Sequence, residues 1–410
     1  MRDDAKRGTD TLNFELDEEH RDVERAVRDW AAAEVAPRIH DLDREHRFDR
    51  SFLTGMADLH LMGICIPEQY GGAGLDYISL GLVSEELEYV DTHLRVIMSV
   101  HVGLNSMTLL CWGTEAQKQK YLVPQARGEK LATYGLTEPD AGSDAVGIQS
   151  TAVRKGDRYV LNGEKVWISL ADVADHFLVI AWTDLEKKKN RDHSGLSAFI
   201  VERAFAGFSS YTIKEKWGIL AGNTGGFSMQ DMEVPAENLL GSEGEGFRVA
   251  MFALENGRYT VAAGATGLIR ACLDASLAYA RQRKTFGQPI GEHQLVKEMI
   301  AQMVSDYDAS RLLWLRAGWL KNEGKRNTRE TSLAKWFSTV ASERAASDCV
   351  QIHGGNGYSD EYPAGRFYRN CKAAVIYEGT REIHKVMQAD YALGYRQDKP
   401  RRVELPAYRK

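Results

Sequence analysis

The spacing of apolar side chains changes character twice along the chain. From about Asp17 to Val90 apolar positions return at helical spacing. Asp17-Glu18-Glu19-His20 supplies an acidic start suited to a helix N-terminus, and Ala32-Ala33-Glu34-Val35-Ala36 runs into Pro37. A glycine-rich loop over Pro67–Gly74 follows, and Tyr77–Val90, Met98–Trp112 and Glu115–Leu122 read as further helices. Between Leu131 and Leu240 the pattern becomes alternating or β-branched, with runs at Thr151–Val153, Tyr159–Leu161, Lys165–Ile168, His176–Ala181, Ala198–Val201 and Phe227–Val234. Asn162-Gly163 between two of these runs predicts a hairpin. After Gly246 helical spacing resumes over Phe247–Arg281, Gln294–Lys321, Thr328–Ile352 and a last helix from Thr380. The expected fold is α+β and multidomain. It has an N-terminal α-helical domain (1–130), a central β-barrel or sandwich domain (131–245) and a C-terminal four-helix bundle with a polar surface tail (246–410).

Composition narrows the function classes. Hydrophobic residues make up 43% and charged residues 27% of 410, an ordinary soluble balance. A net charge of -6 argues against a nucleic-acid binder, which usually carries a basic face. No apolar run approaches the roughly 18 residues of a membrane span. Met1–Asp10 is charged and lacks the apolar core of a secretory signal. The five cysteines are scattered and odd in number, with no CxxC pair, so neither a disulfide framework nor a zinc site is expected. Reduced thiols fit a cytoplasmic protein.

Several stretches carry candidate chemistry. In Val375-Ile376-Tyr377-Glu378-Gly379-Thr380-Arg381-Glu382-Ile383-His384 an apolar run delivers one carboxylate, Glu378, directly before a glycine and a helix N-cap, Thr380. Gly379 leaves room for a planar group. A carboxylate poorly hydrated among apolar neighbours has its pKa raised toward the range of a general base. Tyr134–Asp144 is rich in glycine, small residues and hydroxyls (Thr137, Ser143), suited to cradling a polar heterocycle or phosphate, and no GxGxxG precedes a helix there. Lys165-Val166-Trp167-Ile168-Ser169 adds an aromatic plane. Arg283 with Thr285 suits a pyrophosphate, and Gln351–Tyr358 ends a helix in glycines that permit close backbone approach.

These five motifs, in this order and spacing, resemble the acyl-CoA dehydrogenase family over nearly the whole chain. The resemblance implies an FAD flavoprotein, a homotetramer built as a dimer of dimers, that oxidises an acyl-CoA thioester at Cα–Cβ and passes electrons to electron-transfer flavoprotein. Glu378 then removes the α-proton while the β-hydrogen leaves as hydride to flavin N5, and its backbone N–H donates to the thioester oxygen. Tyr377 and Gly379 flank it on the substrate side. Tyr134, Leu136, Thr137, Gly142, Ser143, Trp167 and Ser169 look like flavin contacts within one subunit, with Ser143 also near the CoA chain. Arg283, Phe286, Gln351 and Gly355 are similar to residues that reach the FAD of a neighbouring subunit, and Thr380 and Glu382 to contacts of the FAD beside Glu378. Glu255 and Arg258 match positions that hold CoA.

For the acyl group, Glu85–Ser99 looks like the corresponding segment of glutaryl-CoA dehydrogenases, where the arginine matching Arg95 faces a distal carboxylate. The plain alternative has Arg95 pointing to solvent or pairing with Glu88 or Asp91. Asp91 resembles the extra base of relatives that oxidise alicyclic thioesters by 1,4-elimination. The expected substrate is thus a short, branched, cyclic or dicarboxylic acyl-CoA. Two rival functions are an acyl-CoA oxidase using O₂, usually a longer chain, and a non-catalytic acyl-CoA-binding or DNA-associated flavoprotein. The latter would lack Glu378 or carry an added basic domain.

Overall fold

The computed structural model describes residues 15–398 and 400–408, so the Met1–Asp10 segment and Lys399 of the tail lie outside it. Helices fill the chain from Glu18 to Ala126 and again from Gly246 to Ala392, with a sheet between them.

Pro37 does not stop the first helix. The chain winds as α-helix over Glu18–Trp30, widens to a π-turn over Ala31–Val35 and resumes over Ala36–Arg44. The wider turn places Pro37 in the first turn of a new segment, where its missing N–H has no partner to lose. The helix expected from Met98 starts earlier, at Thr92, because the Asp91 side chain caps it by accepting from the His93 N–H at 2.9 Å. Contrary to the apolar-run expectation, the helices Thr92–Trp112 and Gly246–Gln282 are long and apolar enough to cross a membrane. Their apolar windows are 94% and 72% buried inside the protein, so both are core helices. They cross where glycine faces glycine: a Cβ on Gly103 would stand 3.2 Å from the Gly257 Cα.

Ion pairs stitch the first helices to the last. On the Tyr77–Val90 helix, buried Glu86 accepts from both terminal nitrogens of Arg270 at 2.7 Å and from Arg28 at 2.9 and 3.1 Å. Its neighbour Glu85 accepts from Arg311 at 3.0 Å and from the Trp314 indole at 3.2 Å. Removing one member of such a buried set costs roughly 3–5 kcal/mol, since it leaves an uncompensated charge.

The middle of the chain holds β1 (Ala132–Gly135), β2 (Thr151–Lys155), β3 (Arg158–Ser169), β4 (His176–Trp182), β5 (Leu196–Glu202), β6 (Phe208–Thr212), β7 (Thr224–Pro235) and β8 (Leu239–Leu240). They form one sheet in the order β6-β7-β3-β2-β4-β5-β8, with β1 parallel to β4. The sheet curls on itself. Phe177 of β4 meets Phe227 of β7 at 5.0 Å and Phe208 of β6 at 4.7 Å, although β2 and β3 lie between them in the strand order. Among the described residues no pairing joins β6 to β8, so the sheet does not close as a barrel. Asn162-Gly163 is not the hairpin. It lies within β3 at a shift of register against β7, and the β2–β3 turn is at Gly156-Asp157. The Asn162 side chain accepts from the Asp231 N–H at 2.8 Å, replacing a ladder bond that the bulge removes.

The closing helices are Gly246–Gln282, Gln294–Asn322, Thr328–His353 and Arg381–Ala392, plus Ala364–Ala374, which the apolar spacing did not signal. The polar tail is tied down rather than loose. Tyr408 donates to the Cys65 carbonyl at 2.7 Å and meets Tyr77 edge-on at 5.0 Å, and Arg401 pairs with Glu255.

Gly267 lies against the Glu85 carbonyl and leaves no room for a Cβ. Gly267→Ala is expected to lower stability by about 1–3 kcal/mol through overpacking. A denaturant midpoint at or above that of the wild type would contradict this close packing.

Candidate active site

The site forms where the Ala364–Ala374 helix unwinds. Val375–Glu378 continues as a turn, closed by the Arg381 N–H donating to the Val375 carbonyl at 3.0 Å, and Thr380 caps the next helix by accepting from the Ile383 N–H at 3.3 Å. Glycine alone does not make this turn: both Glu378 (φ 54°) and Gly379 (φ 100°) are left-handed. For a residue with a Cβ that conformation is uncommon and costs on the order of 1–3 kcal/mol, so its surroundings must hold it. Two cations do so. Arg258 donates through Nε to the Glu378 carbonyl at 2.7 Å, and Lys335 donates through Nζ to the Gly379 carbonyl at 2.7 Å.

The Glu378 side chain lies over the crossing of the two core helices, against Gly257 and the Leu104 side chain. Its Oε2 is buried and has no hydrogen-bond partner. Burial pushes the carboxyl up to about 7, against the pull of Arg95, Lys335 and Arg258. It is therefore a base of near-neutral pKa with a free lone pair. Beside it, Tyr134 of β1 is buried, and its hydroxyl too has no partner. Burial raises that phenol far above its ordinary range, so it stays protonated and can donate.

Arg95 is buried on the Thr92–Trp112 helix, close enough for its charge to act on Glu378. Its Nε donates to Glu88 at 2.6 Å, one terminal nitrogen to Ser99 Oγ at 3.0 Å, and the other to the Tyr377 hydroxyl. Glu88 thus takes the pairing that the sequence left open, and the five N–H donors of a guanidinium still leave capacity for a further acceptor. Asp91 is placed elsewhere. It accepts from His93 Nδ1 at 2.7 Å, from Asn370 at 3.1 Å and from Arg366. Burial opposes its charge, but these partners outweigh burial and hold it well below the carboxylate range. A carboxylate so engaged makes a poor proton acceptor, and the 1,4-elimination expected from it loses its second base.

Glu255 and Arg258, expected to hold CoA, are both engaged with protein groups. Glu255 accepts from Thr328 Oγ1 at 2.9 Å and pairs with Arg401, while Arg258 serves the Glu378 carbonyl.

The flavin candidates collect on the sheet. A second bulge in β3 gives Trp167 a left-handed backbone (φ 59°) and turns its indole outward, 61% exposed. The Thr137 carbonyl accepts from the Val166 N–H at 3.0 Å, joining the Tyr134–Ser143 loop to that bulge. Leu136 is buried, and its carbonyl accepts from Lys165 at 3.2 Å. Ser169 is half-buried, and Gly142 has open space where a Cβ would stand. An outward aromatic plane, an open glycine and an unpartnered buried hydroxyl fit a bound isoalloxazine. Arg283, Phe286 (96% exposed), Gln351 and Gly355 lie on the surface near the ends of two long helices, and Glu382 is exposed and pairs with Arg381. Phe286 leans on His293 and nothing crowds Gly355, so these residues face outward rather than toward Glu378.

Lys335 gave no signal of its own in the sequence. A lysine among Thr331, Ser332, Ser338 and Thr339 on one helix face is the only hint, since small neighbours leave a groove for a long buried stem. His384 completes the surround, with Nδ1 2.8 Å from Ser332 Oγ and a buried, unpartnered Nε2.

Residues 17–129, 133–232 and 244–392 match, in turn, the N-terminal, middle and C-terminal domains of acyl-CoA dehydrogenases. A probable acyl-CoA dehydrogenase of Bacillus subtilis is 41% identical over 379 residues, covering 92% of this chain and 99% of the relative. A glutaryl-CoA dehydrogenase of Desulfococcus multivorans is 38% identical over 390 residues, covering 94% and 99%. A chain solved in work on the electron transferring flavoprotein of Acidaminococcus fermentans superposes with a TM-score of 0.90 at 40% identity, covering 93% of this chain and all of that one. Fold and site together are those of an FAD-dependent oxidoreductase. The chain belongs to the acyl-CoA dehydrogenase family.

Two outcomes follow from the geometry. Gly257→Ala would press a methyl into the Glu378 carboxylate, and flavin reduction is expected to fall by about tenfold or more with FAD content unchanged. An unaltered rate would show that the carboxylate does not rest there. The kcat/KM profile is expected to fall as pH drops through about 7, because protonation removes the base. Activity held down to the ordinary carboxylate range near pH 4.3 would contradict the buried carboxyl.

Proposed function

We propose that the protein oxidises the Cα–Cβ bond of a short acyl-CoA whose far end carries a carboxylate. The observation that carries this is the unpartnered Glu378 Oε2 acted on by the charge of buried Arg95, which also donates to Tyr377 and Ser99. Glu378 takes the α-proton as the β-hydrogen departs with its electron pair. The left-handed turn presents the Glu378 N–H to the thioester oxygen, where it stabilises the enolate. FAD, when bound, supplies the acceptor for the electron pair. The spare donors of Arg95 meet the distal carboxylate in a desolvated pocket, where charge-assisted bonds are strong. Likeness to a glutaryl-CoA dehydrogenase supports that choice of substrate.

Electron-transfer flavoprotein is the proposed acceptor, supported by likeness to the Acidaminococcus fermentans chain. Association into a dimer of dimers is proposed as well. Exposed Phe286, Tyr358 (93%) and Leu295 (78%) are apolar surface that a second subunit would cover.

Anaerobic bleaching of the FAD-loaded protein by a panel of acyl-CoAs tests this directly. Glutaryl-CoA is expected to bleach faster than neutral chains of similar length, and Glu378→Gln to bind both FAD and thioester without bleaching. Arg95→Gln is expected to weaken the dicarboxylic thioester by roughly 2 kcal/mol, about thirtyfold, and to spare the neutral one. Equal loss on both thioesters would remove the carboxylate from the substrate, and bleaching by Glu378→Gln would remove the base.

A further inference from the structure

We propose that Lys335 is a positioning residue for this reaction: it clamps the Gly379 carbonyl and serves as the titratable counter-cation of the Glu378 carboxylate beside two permanently charged arginines. The inference rests on Glu378 being the base. Lys335 extends from the middle of the Thr328–His353 helix, and its ammonium is fully enclosed. Nζ donates to the Gly379 carbonyl at 2.7 Å and stands 6.0 Å from the Tyr377 ring centre. Together with Arg258 on the Glu378 carbonyl, it holds two successive carbonyls of a turn that is left-handed at both residues and strained at Glu378. A cation that sheds its water to bond a neutral carbonyl gives up hydration that only a nearby negative charge restores.

Lys335 shares that task with two arginines. Arg95 acts on the carboxylate most strongly, from the Thr92–Trp112 helix, while also pairing with Glu88 at 2.6 Å. Arg258, from the Gly246–Gln282 helix, is permanently charged and uses Nε on the backbone. Tyr134 on β1 and Tyr377 on the turn are held protonated by burial. His384 on the last helix is kept neutral by burial and by the nearby Lys335 and Arg258. Glu382 also acts on Lys335 but is exposed to solvent. Lys335 is thus the one cation of the group that titrates near neutrality. Burial lowers it to about 7, against the pull of Glu378 and with Arg258 and Arg95 adding to the fall. Lysine and glutamate then titrate as a pair, each favouring the charged form of the other.

The test is the acid limb of kcat/KM in FAD-loaded protein, read with a difference-infrared titration of the Glu378 carboxyl band that Glu378→Gln assigns. Lys335→Gln keeps a donor for the Gly379 carbonyl and loses the charge, so the limb and the band are expected to move up by about one pH unit or more. Lys335→Met loses both, and kcat is expected to fall further at the high-pH plateau. Lys335→Arg makes the charge permanent, and the limb is expected to move down. Limbs that stay within about 0.2 units of the wild type in Lys335→Gln and Lys335→Arg alike would overturn the proposal. If the neutral variants do not fold, the downward move of Lys335→Arg decides alone. Failure of the underlying base would look different, since Glu378→Gln would then still bleach with substrate.

Discussion

A carboxylate kept dry without a hydrogen-bond partner is the constraint on which this structure depends. Enclosure by itself pushes a carboxyl toward neutrality, and a neutral Glu378 would accept no proton at physiological pH. Arg95, Lys335 and Arg258 pull the other way without touching Oε2, so ionisation is balanced near 7 while the lone pair stays free. A direct ion pair would give a lower pKa and an occupied oxygen. Asp91 shows that outcome in the same molecule: it too is buried, but its oxygens are taken by Arg366, His93 and Asn370. Burial alone therefore does not make a base. The placement of the cations relative to the carboxylate decides.

That balance draws on elements far apart in sequence. Gly257 gives the carboxylate a floor, Arg258 next to it holds the turn, and the Thr328–His353 helix supplies Lys335. Arg95 comes from the first helical part and Tyr134 from the sheet. Each part of the fold therefore contributes to the site, and the close Gly103–Gly257 crossing is what lets Arg95 and Glu378 share it.

Much of this was legible in the residues themselves. Helical and alternating spacing marked the α–β–α order, and a glutamate before glycine and a capping threonine marked the turn of the candidate site. Local signals misled where tertiary demands took over. Asn162-Gly163 has hairpin chemistry, but β7 pairs along all of β3 and converts it to a bulge. Pro37 carries a stop signal that a π-turn absorbs. The Ala364–Ala374 helix was not signalled, and Lys335 was invisible because a lysine's burial depends on what packs over it. Glu255 and Arg258 sat in a recognisable motif, yet their partners, Arg401 and the Glu378 carbonyl, lie more than a hundred residues away.

The paired acids Glu85 and Glu86 also bear on how the chain is made. Arg311, which neutralises Glu85, follows it by 226 residues. At synthesis rates of roughly 5–20 residues per second the ribosome delivers Glu85 roughly 10–45 s before that partner. During the wait the Tyr77–Val90 helix carries a carboxylate it cannot bury, so the emerging first third cannot settle into its final packing. Final packing of the Tyr77–Val90 helix therefore waits on the Gln294–Asn322 helix.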